Sequence, residues 1–528
     1  MNQEPDLTLT WQLVRKWAQE QPDAEALVFK DERLTWAEFY DQVDQVAKAF
    51  LELGVKKGDR IAMLSMARNE FLTTYMAANK VGAVWLGLSP KFSVDELRYM
   101  LSDSRPKVLI SLREYQGKDL ADAGRQMVEE FSCLEKVLMI GEPVEDTEGF
   151  ADFVNRPRAH LNEALATRAA EVHPEDEALL IYTSGSTGHP KGVLHTHKSI
   201  VSNIAVEAGR FHIRKGGRVL LHFPINHVAA DVEIGFGALY AGATVVSMDR
   251  FDPAGTLEMI ERERITLFGQ IPTMYLMQMQ LPAFKSTDFS SVEAFVWGGA
   301  HAPQRLGEAL QRIAQKSGAY LINGLGMTET AGFFTYTADD DDLDTLLSTV
   351  GKVAEPFELR IVDDDHNELP DGQVGEIAVR GDMNMKGYLN NPEATADALD
   401  QDGWLYTRDL GKKDARGYIS LAGRKSEMFK TGGENVFPRE VEDVIESHPA
   451  VLVVAVIGVP DEVYTEVGHA LVALKPGYEV TEEELREHCR PHLANFKIPK
   501  RFIIRAQLPV LPTGKVDKKK LKQEVLRG

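Results

Sequence analysis

Short apolar runs alternate with stretches of helical periodicity over residues 25–111, the rhythm of strands joined by helices in a parallel sheet. Thr35-Trp36-Ala37-Glu38 is a capping box, and Phe39, Val43, Val46, Ala47 and Phe50 behind it mark one helical face that Gly54 ends. Residues 60–65 read as a strand, 70–81 as a helix and 83–88 as a strand, and Ser93-Val94-Asp95-Glu96 caps a further helix. The same alternation returns over 178–326, where strands are expected at 179–182, 219–222, 244–248, 266–268, 294–297 and 320–323. Both segments predict doubly wound sheets.

Beyond Asp339 an acidic run, 339–342, reads as a solvated loop. The pattern then turns β-rich, with turn signals at Asp371-Gly372 and Asp402-Gly403, and predicts a small sheet subdomain over about 340–425. From Ser426 the pattern gives a helix with Val441, Val444 and Ile445 on one face, strands at 451–459 and 468–474, a helix near 482–493 and a strand near 502–508. The expected fold class is α/β. A large N-terminal domain of doubly wound sheets, 1–425, includes the β-rich subdomain, and a small α+β domain, 426–528, follows.

A chain of 528 residues suits roughly three to four folding units at ~150 residues each, which excludes a single small module. The 44% hydrophobic and 26% charged residues exclude wholesale disorder and coiled coil. Lys plus Arg at 59 against Asp plus Glu at 80 gives a net charge of −21, a sign that repels nucleic acid and anionic membranes, so an anionic ligand needs a local exception. Cys133 and Cys489, far apart, supply neither a disulfide framework nor a cysteine-rich metal site and fit a reducing cytoplasm. No secretory signal is evident, and the longest apolar stretch, 451–460, is about half the ~20 residues that span a bilayer. No integral membrane segment is expected.

That local exception is plain at Tyr182-Thr183-Ser184-Gly185-Ser186-Thr187-Gly188-His189-Pro190-Lys191-Gly192, directly after an apolar strand. Three glycines, four Ser/Thr hydroxyls and one lysine in eleven residues let backbone amides and side chains wrap a polyphosphate, with Lys191 as a point charge. It is not a Walker A loop, because Pro190 holds the second glycine position and Gly192 follows the lysine.

This wording resembles the adenylate-forming superfamily of acyl-CoA synthetases, adenylation domains and firefly-type luciferases. Asn323-Gly324-Leu325-Gly326-Met327-Thr328-Glu329-Thr330 is similar to its second nucleotide motif, whose threonine contacts phosphate and whose glutamate carries Mg²⁺. Trp404-Leu405-Tyr406-Thr407-Arg408-Asp409-Leu410 and Gly423-Arg424 resemble the segments that hold the ribose, and Leu511-Pro512-Thr513-Gly514-Lys515-Val516 the segment whose lysine bridges carboxylate and α-phosphate. The resemblance implies Lys515, Glu329, Thr183 and His227 as catalytic residues, with Glu329 and Thr183 on the metal. It implies nucleotide contacts from Thr183 to Gly188, from Lys191, Gly299 and Ala300, from Asn323 to Thr328, and from Asp409 and Arg424. The family alternates two orientations of a mobile C-terminal domain, one delivering the lysine and the other a glycine-rich loop, here Lys430, Gly432, Gly433 and Glu434, that lines a thiol tunnel.

The chain departs from the family pattern at Leu325, where an aromatic residue usually stacks on adenine, at Arg408, where glycine is usual, at the hinge position Ser426, and at His469, where a glutamate is frequent. Arg408 either approaches a phosphate or lies on the surface.

The implied substrates are ATP, CoA and a small carboxylic acid, with Mg²⁺ as cofactor and a homodimer left open. The acid pocket is expected among 223–228, 270–273, 297–300 and 331–334, whose apolar and glycine-rich walls favour a medium-chain, alicyclic or aromatic acid. His227 either gates that pocket or caps the next helix. Gly298 and Gly299 leave depth, while Asp231 and Glu233 either face solvent or steer a cationic, carnitine-like acid. Competing readings are an enzyme loading a carrier protein, a luciferase-like oxygenase, and a nucleotide-binding regulator without catalysis.

Overall fold

The computed structural model describes residues 7–120, 130–183, 190–510 and 516–527. Both capping boxes form. Thr35 accepts from the Glu38 amide and starts the helix Trp36–Glu52, and Ser93 accepts from the Glu96 amide and starts Val94–Ser104. Each box satisfies amides that the first helical turn leaves without partners.

Two large sheets carry the N-terminal region. The first has eight strands, and its parallel core runs Glu177–Thr183, Val84–Leu88, Arg60–Leu64, Val108–Leu112 and Lys136–Ile140. The second has nine, with a parallel core of Glu25–Phe29, Thr244–Ser247, Arg218–Leu221, Leu267–Gln270, Ala294–Gly298 and Tyr320–Met327. All six strands expected between 178 and 326 are present.

The sheets do not follow the two segments of the sequence, however. Glu25–Phe29 from the first segment pairs with Thr244–Ser247, and Glu177–Thr183 from the second pairs with Val84–Leu88. Both strands are apolar on both faces, so burial between helix layers decides their neighbours. The layers meet in a core where Tyr75 stacks on Trp85 with ring centroids 4.6 Å apart.

The β-rich region is a four-stranded antiparallel sheet of Glu358–Val362, Gly375–Arg380, Trp404–Lys413 and Ile419–Arg424. The acidic run before it is tied in rather than merely solvated. Asp339 meets His212 at 3.0 Å, Asp341 takes the Tyr418 hydroxyl, and Asp342 caps the helix Leu343–Ser348. The last sheet joins Phe429–Thr431, Glu434–Val436, Val451–Asp461, Thr465–Leu474 and Arg501–Arg505, with the helices Pro438–Glu446 and Glu482–Cys489 against it. The second helix stops at Cys489, ahead of the expected 493. No helix among the described residues is long and apolar enough to cross a membrane.

Candidate active site

Thr183 closes the strand Glu177–Thr183, Lys191 opens Lys191–Thr196, and the two face each other across the antiparallel ladder. The loop they bracket, with Ser184, Gly185, Ser186, Thr187 and Gly188, lies outside the described residues, as does Lys515.

The Lys191 ammonium stands 4.7 Å from the ring centroid of Tyr388, whose hydroxyl donates to Glu329 Oε1 at 2.9 Å. A single aromatic residue thus links the lysine of the glycine-rich loop to the acid of the second motif. The short strand Gly387–Tyr388 places it by pairing with Lys191–Thr196, Val193 opposite Tyr388. Met385 N–H donates to Glu329 O at 2.8 Å and Leu389 N–H to Gly192 O at 2.7 Å.

Glu329 is half-buried. Burial pushes its carboxyl above the ordinary range, the Tyr388 hydroxyl and the Arg424 guanidinium pull it down, and the Asp409 charge raises it again. Asp409 and Arg424 are opposite one another on neighbouring strands, with Arg424 Nε 3.0 Å from Asp409 Oδ1. The three motifs therefore act on one another through space.

Behind Glu329, buried His195 bonds Thr328 O through Nε2 at 2.6 Å and Ser199 Oγ through Nδ1 at 3.1 Å. Burial pushes this imidazole down to about 4, so the ring is neutral, and a carbonyl partner fixes the proton on Nε2. Asn203 donates to Thr330 O at 2.7 Å and to Phe333 O at 3.1 Å. His195, Asn203 and Tyr388 escaped the sequence reading. Ser199, Asn203 and Glu207 repeat every fourth residue on one helix, a polar stripe that a search for polar periodicity would have found, whereas a lone Tyr388 carries no local signal.

Leu325 is buried, its N–H on Thr335 Oγ1 at 3.0 Å, and Gly326 and Met327 complete the strand before the Thr328–Thr330 turn. Asn323 is an anchor: its Nδ2 donates to Leu346 O and Thr349 O at 3.0 and 2.9 Å. Gly324 is required by close approach, since a Cβ there would lie 2.2 Å from Thr335 O. Gly299 and Ala300 follow the strand Ala294–Gly298, where Gly298 faces Gly324 across the ladder.

Lys430, Gly432, Gly433 and Glu434 form a hairpin in which Thr431 pairs with Glu434 and both glycines take positive φ, 58° and 91°. That is the two-residue turn whose twist suits antiparallel strands. The hairpin is held within its own sheet by Gly432 N–H on Tyr464 O at 2.9 Å.

Other expectations sort cleanly. His227 Nδ1 accepts from Ala229 N–H at 3.1 Å, where the π-helix Ala229–Phe236 begins. Arg408 adopts φ 62°, the left-handed backbone that explains a glycine preference, and its guanidinium pairs with Asp397 while its charge reaches Tyr388. Asp231 and Glu233 do not face solvent: both are buried, because the π-helix sits between the sheet and the helix His197–Arg210. Nor is the depth over Gly298 open, since the Phe333 ring lies 2.3 Å from where a Cβ would stand.

The model of the AMP-binding enzyme family matches residues 14–389, and that of its C-terminal domain matches 440–515. The chain belongs to the AMP-binding enzyme family. The long-chain-fatty-acid–CoA ligase FadD13 of Mycobacterium tuberculosis is 34% identical over 94% of this chain and 93% of its own. The 3-[(3aS,4S,7aS)-7a-methyl-1,5-dioxo-octahydro-1H-inden-4-yl]propanoyl:CoA ligase of the same species is 36% identical over 95% of this chain and 96% of its own. Among solved structures, the anthranilate CoA ligase AuaEII in complex with anthranoyl-AMP superposes with a TM-score of 0.87 at 28% identity, covering 98% of this chain and 97% of that one. This AMP-binding enzyme is an ATP-dependent acyl-CoA ligase: it joins a carboxylic acid to CoA with formation of AMP.

Proposed function

We propose that the acid is a medium-chain, alicyclic or aromatic one, and that Lys515 serves adenylation while the hairpin at Gly432 and Gly433 serves the transfer to CoA. The observation that supports a nucleotide site is the Tyr388 bridge between Lys191 and Glu329, with Asp409 and Arg424 acting on the same carboxyl; the roles of Lys515 and the hairpin rest on the resemblance of their segments.

A carboxylate approaching the α-phosphate of ATP is an anion meeting an anion, so positive charge at the meeting point lowers the barrier. Lys191 and Lys515 supply it, one at the polyphosphate and one at the reacting oxygens. Asp409, oriented by Arg424, accepts the ribose hydroxyls. The acid oxygen bonds to the α-phosphorus as the bond to pyrophosphate breaks, and the thiol of CoA then displaces AMP from the acyl carbon. Glu329 and Thr183 would offer oxygen donors, the ligand type that suits a hard cation. Mg²⁺ held there would neutralise phosphate charge. Two free cysteines, Cys133 and Cys489, support a reducing cytoplasm as its setting.

Pyrophosphate release over a panel of carboxylic acids, with and without CoA, tests the reading. Lys515→Ala is expected to cripple release yet leave conversion of supplied acyl-AMP to acyl-CoA in place, and a bulky residue at Gly433 to do the reverse. If both changes slow the same half-reaction, the division of roles is wrong.

A further inference from the structure

The strand Lys191–Thr196 lies between two others in its sheet, Glu177–Thr183 on one side and the short Gly387–Tyr388 on the other. Lys191 opens the middle strand, so its place depends on both neighbours. Gly192 after it is gripped from both sides: a Cβ there would lie 3.2 Å from the Tyr182 ring and 3.3 Å from Leu389 Cβ. The short strand has only two rungs, Val193 opposite Tyr388 and Leu194 opposite Gly387, too few to fix its own position.

Both outer strands are tied to one carboxylate. Asp103, on the helix Val94–Ser104 that packs against this sheet, accepts the Tyr182 hydroxyl through Oδ2 at 2.7 Å and Asn390 Nδ2 through Oδ1 at 3.0 Å. Tyr182 directly precedes Thr183, and Asn390 follows Tyr388 by two residues, where the chain turns through a left-handed φ of 51°. Met100 O, 3.3 Å from the hydroxyl, and Asp103 O, 3.0 Å from the amide, also lie within reach, but a carboxylate is the stronger acceptor of each pair. Burial and the bond to Asp103 hold the Tyr182 hydroxyl well above its ordinary range, so it stays a donor.

We propose that Asp103 is a positioning residue for adenylation: by holding Tyr182 and Asn390 it sets the spacing of the three strands, and with it the places of Lys191 and Tyr388. The lysine then meets the polyphosphate, and the Tyr388 hydroxyl meets Glu329, without rearrangement at the moment of reaction. This rests on the role proposed above for Lys191. Conversion of acyl-AMP to acyl-CoA begins after pyrophosphate has left, so it does not need that spacing.

The test follows the two half-reactions separately in variants whose folding is checked by thermal melting. Asp103→Ala is expected to lower kcat/KM for ATP in pyrophosphate release by about tenfold or more, since small displacements at a reacting centre cost that much. Conversion of supplied acyl-AMP and CoA to acyl-CoA should stay within about twofold of native, which a general loss of structure would not allow. Asp103→Asn keeps one acceptor oxygen of the same reach and should lose less than Asp103→Ala. If Asp103→Ala does not fold, Tyr182→Phe and Asn390→Ala each remove one of the two bonds and are expected to show the same split. Native-like adenylation in the folded variants, or equal losses in both half-reactions, would overturn this proposal and leave the ligase reading intact. Lys191→Ala releasing pyrophosphate at the native rate would overturn the role of Lys191 on which it rests.

Discussion

Tyr388→Phe isolates one oxygen atom. The ring over Lys191 remains, and only the 2.9 Å donor to Glu329 Oε1 is lost. A hydrogen bond to a charged group is worth about 1.5–3 kcal/mol, which at about 1.4 kcal/mol per pKa unit corresponds to a shift of about 1–2 units. Glu329 is half-buried, so solvent replaces part of what the hydroxyl supplies and about 1 unit is the appropriate figure. The bond favours the ionised carboxylate, so its removal raises a carboxyl that burial has already raised. If Glu329 works as the anion, the acid limb of kcat/KM for ATP moves to higher pH by about 1 unit while the plateau above it is kept. Pyrophosphate release followed from about pH 5 to about pH 9 reads this directly. An acid limb that stays in place, whatever happens to the plateau, would refute the assignment of Glu329 as the ionised group tuned by Tyr388.

Three further outcomes are expected. Asp231 is fully buried with neither carboxylate oxygen partnered among the described residues, and burial lifts its carboxyl well above 3.8, so the folded state keeps a proton the unfolded chain loses. The stability this contributes is complete below the unfolded pKa and fades as pH rises toward the folded one, so Asp231→Asn should gain in melting temperature on the native protein between about pH 4 and pH 8. A difference flat across that range would defeat it. Gly324→Ala places a Cβ 2.2 Å from Thr335 O and 2.5 Å from the Phe333 ring, and is expected to cost about 1–3 kcal/mol or more in denaturant unfolding; a neutral result would mean the ladder yields freely. At Arg408, relief of left-handed backbone, worth about 1–2 kcal/mol, is offset by glycine's flexibility and a lost surface pair, so Arg408→Gly should stay within about 1 kcal/mol of native while Arg408→Val loses more; equal losses would reject the strain argument.

Local features were legible because they depend on neighbours in the chain. The Thr35 and Ser93 boxes, the helical face behind Phe39 and the six strands between 178 and 326 all follow from spacing and backbone chemistry over a few residues. The motif residues Glu329, Asp409 and Arg424 were reached through the resemblance of their short stretches to a known family, and the structure brings the three close enough for their charges to act on one another.

The exchange of Glu25–Phe29 and Glu177–Thr183 between the sheets was not readable, because strands apolar on both faces fit any buried position and only the packed helices select their neighbours. Tyr388 likewise joins Lys191 to Glu329 only because a two-residue strand adds to a distant edge. Whether Asp231 and Glu233 face solvent or steer a cationic acid is open in the sequence, and the wedging of the π-helix buries both. The sequence alone determined the elements, the reactive groups and the kind of chemistry. The tertiary structure decided which groups share a dielectric environment, since burial and through-space charge belong to the packed whole and to no segment of it.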